Sequence, residues 1–239
     1  MTAPHIIRIP ILPFRMVNAH LIRVAGGCIV VDAGLPGSES RVGHVLARHG
    51  LSFRDILLIV ITHAHVDHAG GAARLRQLSG APIVGHVGDL AHFRRELPMT
   101  FCPTGWAGRL FLKAPVIYQP YTGFTPDILL AQDDTLDLAP YGLRGFIQPT
   151  PGHTAGSLSV ALANQEILVG DLIASGILIG GLVKTQRAIR PPFEDNPRAV
   201  GLALQGLLER GGLTFYMGHG GPLPAATVRR HAQSLMAMG

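Results

Sequence analysis

THAHVDHAGG, residues 62–71, places His63, His65, Asp67 and His68 within six positions. Imidazole nitrogen and carboxylate oxygen are the donors that Zn²⁺ and similar borderline metals accept. The cluster follows ILLIVI (Ile56 to Ile61), an apolar run of strand length, as expected of a strand covered on both faces. His63, His65 and Asp67 alternate past that strand, so an extended loop aims all three one way. His68, adjacent to Asp67, points elsewhere and suggests a second metal position. Gly70 and Gly71 let the backbone of a following helix, read from about Ala69 to Leu78, approach closely. The helix N-terminus there favours anions. The helical zinc pattern H-E-x-x-H is absent. Coincidence is the alternative in a chain with 12 His, yet H-x-H-x-D-H arises by chance in roughly one chain in a thousand of such composition.

A metal needs more ligands, and three later stretches supply candidates. PTPGHTAGS (149–157) sets His153 between prolines and glycines after a strand. ILVGDLIAS (167–175) ends a strand with Gly170-Asp171, and FYMGHGGPL (215–223) ends another with Gly218-His219. Any one alone reads as a capped turn. Three of them after the first cluster argue for a shared site.

Around these motifs the chain reads as alternating strands and helices. Strands are expected at His5 to Ile9, Ala19 to Val24, Cys28 to Val31 and around Pro82 to Gly85. In the second half they fall near Thr135 to Leu138, Leu143 to Gln148, Leu158 to Leu162, Ile167 to Val169 and Leu213 to Met217. Helices are expected from Ser38 to His49, stopped by Gly50, and from Asn196-Pro197 to about Arg210, stopped by Gly211-Gly212. A last helix runs from about Ala225 to Met236. No repeat or linker divides the chain. One α/β domain over residues 1–239, with buried sheets and outer helices, is the economical reading.

The segment 93–124 stands apart. It holds Phe93, Phe101, Trp106, Phe111, Tyr118, Tyr121 and Phe124, half of the chain's aromatics. Prolines and glycines interrupt it, so it is a lid, a satellite core or a dimer contact.

Composition narrows the function. Hydrophobic residues make up 47% and charged residues 15% of 239, a balance that buries a core and argues against disorder. No apolar run approaches the ~20 residues of a membrane span. The N-terminal MTAPHIIRIPILPF reads as a first strand, not as a signal peptide. Two cysteines, Cys28 and Cys102, make neither a disulfide framework nor a thiolate metal site, and a cytoplasmic location is expected. The net charge of +5 comes from arginines scattered in ones and twos, without the stripe that nucleic acid demands. An anionic small molecule is the better match.

Taken in order, H-x-H-x-D-H, the lone His of TPGHT, then GD, then GHG resemble the signature of the metallo-β-lactamase fold superfamily. VVDAG (30–34) is similar to that family's early Asp-x-Gly strand, and the resemblance runs from about residue 6 to 223. It implies a four-layer αββα sandwich, a mixed α/β (α+β) fold with the metals at one edge of the two sheets. By position, His63, His65 and His153 would hold one ion, Asp67, His68 and His219 a second, with Asp171 bridging. Asp32 would support the ligands from behind.

The resemblance implies a dinuclear-zinc hydrolase in which a metal-bound hydroxide attacks an ester, thioester or lactone carbonyl, with Asp67 orienting it. Fe or Mn in place of zinc is open. Zinc β-lactamases have Cys or Ser where this chain has Asp171, so β-lactam hydrolysis is the alternative, as main or side activity. Glyoxalase II follows the bridging Asp with a Cys-Gly-Arg stretch that LIASGILIGG lacks, so a glutathione thioester is not supported. Acyl-homoserine lactonases place a tyrosine where Ala174 stands. A mononuclear-iron oxygenase of the persulfide dioxygenase type shares part of the pattern. RNase Z-type nucleases carry RNA-gripping segments for which this chain has no room.

Two features bear on substrate. The apolar, glycine-rich loop 173–183 and the aromatic segment, with Trp106, suggest an apolar acyl or ring moiety. Lys184 and Arg187, with Arg190, follow that loop and could hold a carboxylate or phosphate. The partner expected is therefore a small molecule, with neither nucleic acid nor membrane, and a homodimer is possible.

Overall fold

The computed structural model describes residues 5–177 and 180–238. Met1–Pro4 of the N-terminal stretch and residues 178–179 of the apolar loop lie outside them. Two six-stranded sheets carry the chain. The first takes β1 (His5–Leu12), β2 (Val17–Val24), β3 (Gly27–Val31), β4 (Ile56–Val60), β5 (Ile83–His86) and β6 (Ile128–Leu130) in sequence order. β1 to β3 are antiparallel hairpins, and β3 to β6 run parallel. The parallel steps need crossovers, and α1 (Glu39–Arg48), α2 (Val66–Ala69) with α3 (Ala72–Ser79), and α4 (Leu90–Phe93) with α5 (Gly105–Phe111) lie in them.

The second sheet holds β7 (Leu136–Asp137), β8 (Gly145–Pro149), β9 (Leu158–Leu162), β10 (Glu166–Leu168), β13 (Thr214–Tyr216) and β14 (Leu223–Pro224), ordered β14-β13-β10-β9-β8-β7. Only β10 and β13 are parallel, and α6 (Pro197–Glu209) makes their crossover. α7 (Ala225–Met236) closes the chain, and the short pair β11 (Ala174–Ser175) and β12 (Ala188–Ile189) stands outside both sheets.

The period of two along each strand sorts side chains into layers. Ile29 and Val31 of β3, Leu58 and Val60 of β4, and Leu158, Val160 and Leu168 of the second sheet share the core between the sheets. Their neighbours Cys28, Val30 and Ile59 turn to the other side and meet Val42, Leu46 and Leu75 of the first helix layer. Ile167 and Phe215 likewise face Val200, Leu204, Val228 and Leu235 of α6 and α7. The order is helix, sheet, sheet, helix. Asn196 caps α6, its side chain accepting from Ala199 N at 3.0 Å.

The elements depart from the sequence reading in one place and add to it in two. The helix after the metal cluster starts earlier and in two pieces, with Asp67 and His68 already inside α2. The edge strand β6 was not expected, because ILL is too short to show a period. Within the aromatic segment, Phe93, Tyr121 and Phe124 join the first core, while Trp106 stands 77% exposed. Among the described residues no helix is long and apolar enough to cross a membrane.

Phe215 is fully buried between β13 and the helices. Phe215→Ala is expected to lower unfolding free energy by about 3–5 kcal/mol in urea titrations, whereas Leu202→Ala, at a position 56% exposed, should change it by roughly 0.5 kcal/mol or less.

Candidate metal centre

Every motif residue singled out above lies at one edge, just past a strand end. β3 delivers Asp32, β4 the 62–68 cluster, β8 His153, β10 Asp171 and β13 His219. The two sheets are tied together there: Leu158 N donates to Thr62 O at 2.8 Å, and Asn18 N to Gly218 O at 2.8 Å.

His63 Nε2, His65 Nδ1 and His153 Nε2 form a triangle with all three edges 3.1 Å. Tetrahedral zinc with Zn–N bonds of 2.0–2.1 Å spaces nitrogens by about 3.3 Å, so the triangle has the size of a metal face. Burial, the largest influence, pushes the His63 and His153 rings well below the ordinary imidazole range and His65 down to about 4, despite Asp67 and Asp171 near His65. All three rings are thus neutral, with lone pairs available to a cation.

A second group abuts the first, the His63 and His68 rings being 4.1 Å apart. It consists of Asp67, His68 and His219. His219 Nε2 lies 3.4 Å from Asp67 Oδ2 and 2.9 Å from Asp171 Oδ2. His68 Nε2 lies 3.4 Å from Asp171 Oδ1, yet neither atom has a hydrogen-bond partner among the described residues. Buried atoms aimed at one point without bonding are what an ion would satisfy. Asp171 Oδ2 is also 3.9 Å from His153 Nε2, so this carboxylate reaches both groups. Here burial opposes charge on His219, but Asp171 and Asp67 outweigh it and raise the ring to about 9. His68 is raised in the same way by Asp171, Asp32 and Asp67. Asp171, against the effect of its burial, is held well below the carboxylate range by these two rings.

Asp32 fixes tautomers on both sides. Its carboxylate accepts from Thr62 N at 2.8 Å, from Thr62 Oγ1 at 2.9 Å and from His68 Nδ1 at 2.8 Å. The one Thr62 hydroxyl proton is thereby used, so Thr62 Oγ1, 3.0 Å from His63 Nδ1, accepts from that ring. Both Nε2 atoms are left to face the centre. His219 Nδ1 donates to Met16 O with the same consequence. Gly218 leaves no room for a side chain, because a Cβ there would strike His68 and the Asp171 carboxylate.

The structure departs from the period-two reading of the cluster. Asp67 does not join His63 and His65, because α2 begins at Val66 and a helical step turns it toward His219. Trp106, Lys184 and Arg187 are exposed and do not line the cavity over the cluster. Arg190 is engaged by Glu194 at 2.6 Å. The cavity, about 50 Å³, is roofed instead by Phe101, Phe111, Ile117, Pro192 and Phe193. Phe101 stacks on the His65 ring at 5.2 Å and packs on Phe193 at 4.7 Å. Phe193 carried no signal of its own in the sequence. A larger open concavity, about 960 Å³ by Arg144, Phe146 and Arg210, holds none of the ligand candidates and lies on the helix side of the second sheet.

Comparison with known proteins gives a consistent result. The model of the Metallo-beta-lactamase superfamily matches residues 12–219. A hydroxyacylglutathione hydrolase of Anaeromyxobacter dehalogenans is 29% identical over 64% of this chain, a stretch that spans 45% of that relative. An acyl-coenzyme A thioesterase of Gallus gallus is 28% identical over 70% or less of either chain, 69% of this one and 60% of the relative. Among solved structures, a metallo-beta-lactamase family protein of Thermus thermophilus superposes with a TM-score of 0.68 at 26% identity, covering 99% of this chain and 79% of that one. The BLEG-1 B3 metallo-beta-lactamase has the same score at 21% identity, covering 98% and 100%, and so shows the fold.

The two halves of the centre should titrate differently. Neutral His63, His65 and His153 have no proton to lose above pH 6.5, whereas His219, raised to about 9, must release one when Nε2 takes an ion. Ion affinity of the second position should therefore rise by about tenfold per pH unit between 7 and 9 for each proton displaced. That of the first should stay nearly flat, as read by chelator competition on the purified protein.

Proposed function

Because the chain belongs to the metallo-beta-lactamase superfamily, we propose that it is a metal-dependent hydrolase using two zinc ions to cleave a small ester, thioester or lactone. The observation that carries this is the pair of abutting donor groups joined by Asp171: a nitrogen face of zinc size beside a carboxylate-rich one. When bound, such an ion pair polarises a carbonyl and lowers the pKa of water toward roughly 7. His63, His65 and His153 would hold one ion; Asp67, His68 and His219 the other.

The chain's own residues supply the rest. Asp67 is the most exposed of the candidate ligands, its side chain 24% accessible, and it borders the cavity. It is placed to orient a water and to pass a proton on to the leaving group. Phe101, Phe111 and Phe193 exclude solvent and offer an apolar wall to an acyl group. Apart from the imidazoles, no cationic side chain lines the cavity among the described residues. An anionic part of the substrate would then sit outside it, with the exposed Lys184 and Arg187 available to meet it. Together with relatives named for acyl-glutathione and acyl-coenzyme A, this favours a thioester whose acyl end enters and whose carrier stays out. In this reading both sheets serve one site and the chain works as one domain.

Metal analysis should find two zinc ions per chain, and a single iron with no zinc would overturn the reading. Asp171→Ala and Asp67→Ala should each lower turnover of the best substrate in a thioester, lactone and β-lactam panel by roughly a hundredfold or more. Phe101→Ala should still take up two zinc ions per chain at saturating zinc and raise KM for short acyl groups more than it lowers kcat, in steady-state assays with acyl chains of increasing length.

A further inference from the structure

Asp89 is a buried carboxylate that the chemistry above does not use. It ends a turn that follows β5 and is 1% exposed. Burying an unpaired charge is costly, yet among the described residues no Lys or Arg pairs with it. Its partners are three donors from the chain segments that carry the first nitrogen group. Oδ2 accepts from Ala64 N at 2.8 Å and from Thr154 Oγ1 at 3.0 Å, and Oδ1 accepts from Gly156 N at 2.9 Å.

The position of those donors gives the contact its meaning. Ala64 lies between His63 and His65, past the end of the first sheet's β4. Thr154 follows His153, past the end of the second sheet's β8. Asp89 therefore ties together, through one side chain, two loops that come from different sheets. The tie is close: a Cβ on Gly156 would fall 2.5 Å from Asp89 Cγ, so residue 156 must be glycine for the carboxylate to fit. All three partners donate, so a carboxylate satisfies them and an Asn amide would set its NH₂ against one of them. Of the three edges in the nitrogen triangle, His63–His65 is set within one loop. The two edges to His153 depend on how far apart the loops sit.

We propose that Asp89 is a positioning residue for the first metal position, setting the distance from His153 to the His63/His65 pair and hence the ion affinity of that half alone. This rests on the reading of the cluster as a two-ion centre. Among the described residues, none of Asp67, His68 and His219, which build the second half, donates a hydrogen bond to Asp89.

The test is cobalt(II) titration of the full chain as wild type, D89N and T154V, with chelator competition and the visible absorption spectrum as readouts. H153A and H219A serve to assign the two positions. D89N is expected to weaken the first position by about 10–100-fold and to shift its absorption band, leaving the second within twofold. T154V, which removes one donor of three, should weaken the same position by less. If D89N does not fold, the selectivity of T154V decides. Equal weakening of both positions, or no change in either variant, would overturn the proposal. Wild-type protein that binds no cobalt would overturn the two-ion reading itself, which is a separate result from two bound ions insensitive to Asp89.

Discussion

Three imidazole nitrogens held 3.1 Å apart, buried and neutral, are the constraint on which this structure turns. Their lone pairs cannot satisfy one another, and water is largely excluded. Such a triangle persists only if rigid elements hold the rings from behind and a cation meets them in front. The support is visible at His63, whose far nitrogen donates to Thr62 Oγ1. Thr62 in turn donates to Asp32, which also accepts a hydrogen bond from His68 Nδ1. A single carboxylate thus orients one ring in each half of the centre.

The layered fold makes that support possible. The candidate ligands arrive from the ends of β4, β8, β10 and β13, so the two sheets must keep register with each other at one edge. The shared core of Val31, Val60, Leu158, Val160 and Leu168 sets their spacing. Leu158 N donating to Thr62 O locks them at the rim. The halves differ in kind. In the second, His68 and His219 are already balanced by Asp32, Asp67 and Asp171, so an ion bound there would replace protons. In the first, three neutral rings would take an ion without giving up a proton.

Much of this was legible in the sequence, for a physical reason. Fully buried strands must be apolar, and ligands must stand at strand ends beside glycine, so ILLIVI-THAHVDH, TPGHT, GD and GHG mark both fold and centre. The misreading of Asp67 came from extending the strand's period of two past residue 65, where the backbone had already entered a helical turn. Residues acting through the fold left no local mark. Phe193 reaches His65 only because chain 102–104 pairs with 191–194, and Asp89 resembles any loop acid until the two sheets are brought together.

The roof over the centre shows how metal and substrate requirements meet. Phe101 and Phe193 both pack on His65, at 5.2 and 6.3 Å, so the wall of the cavity rests on a ligand ring. The segments bearing them are joined: Thr104 N donates to Pro192 O at 2.8 Å and Glu194 N to Cys102 O at 3.0 Å. The cavity they border is small, about 50 Å³, beside the roughly 300–1,000 Å³ of typical ligand pockets. On the thioester reading, a long acyl chain would have to move these aromatic rings aside. Because Phe101 and Phe193 also pack on His65, a group entering the cavity would meet the same rings that border the first nitrogen face, and the shape of the cavity is coupled by packing to the orientation of that face.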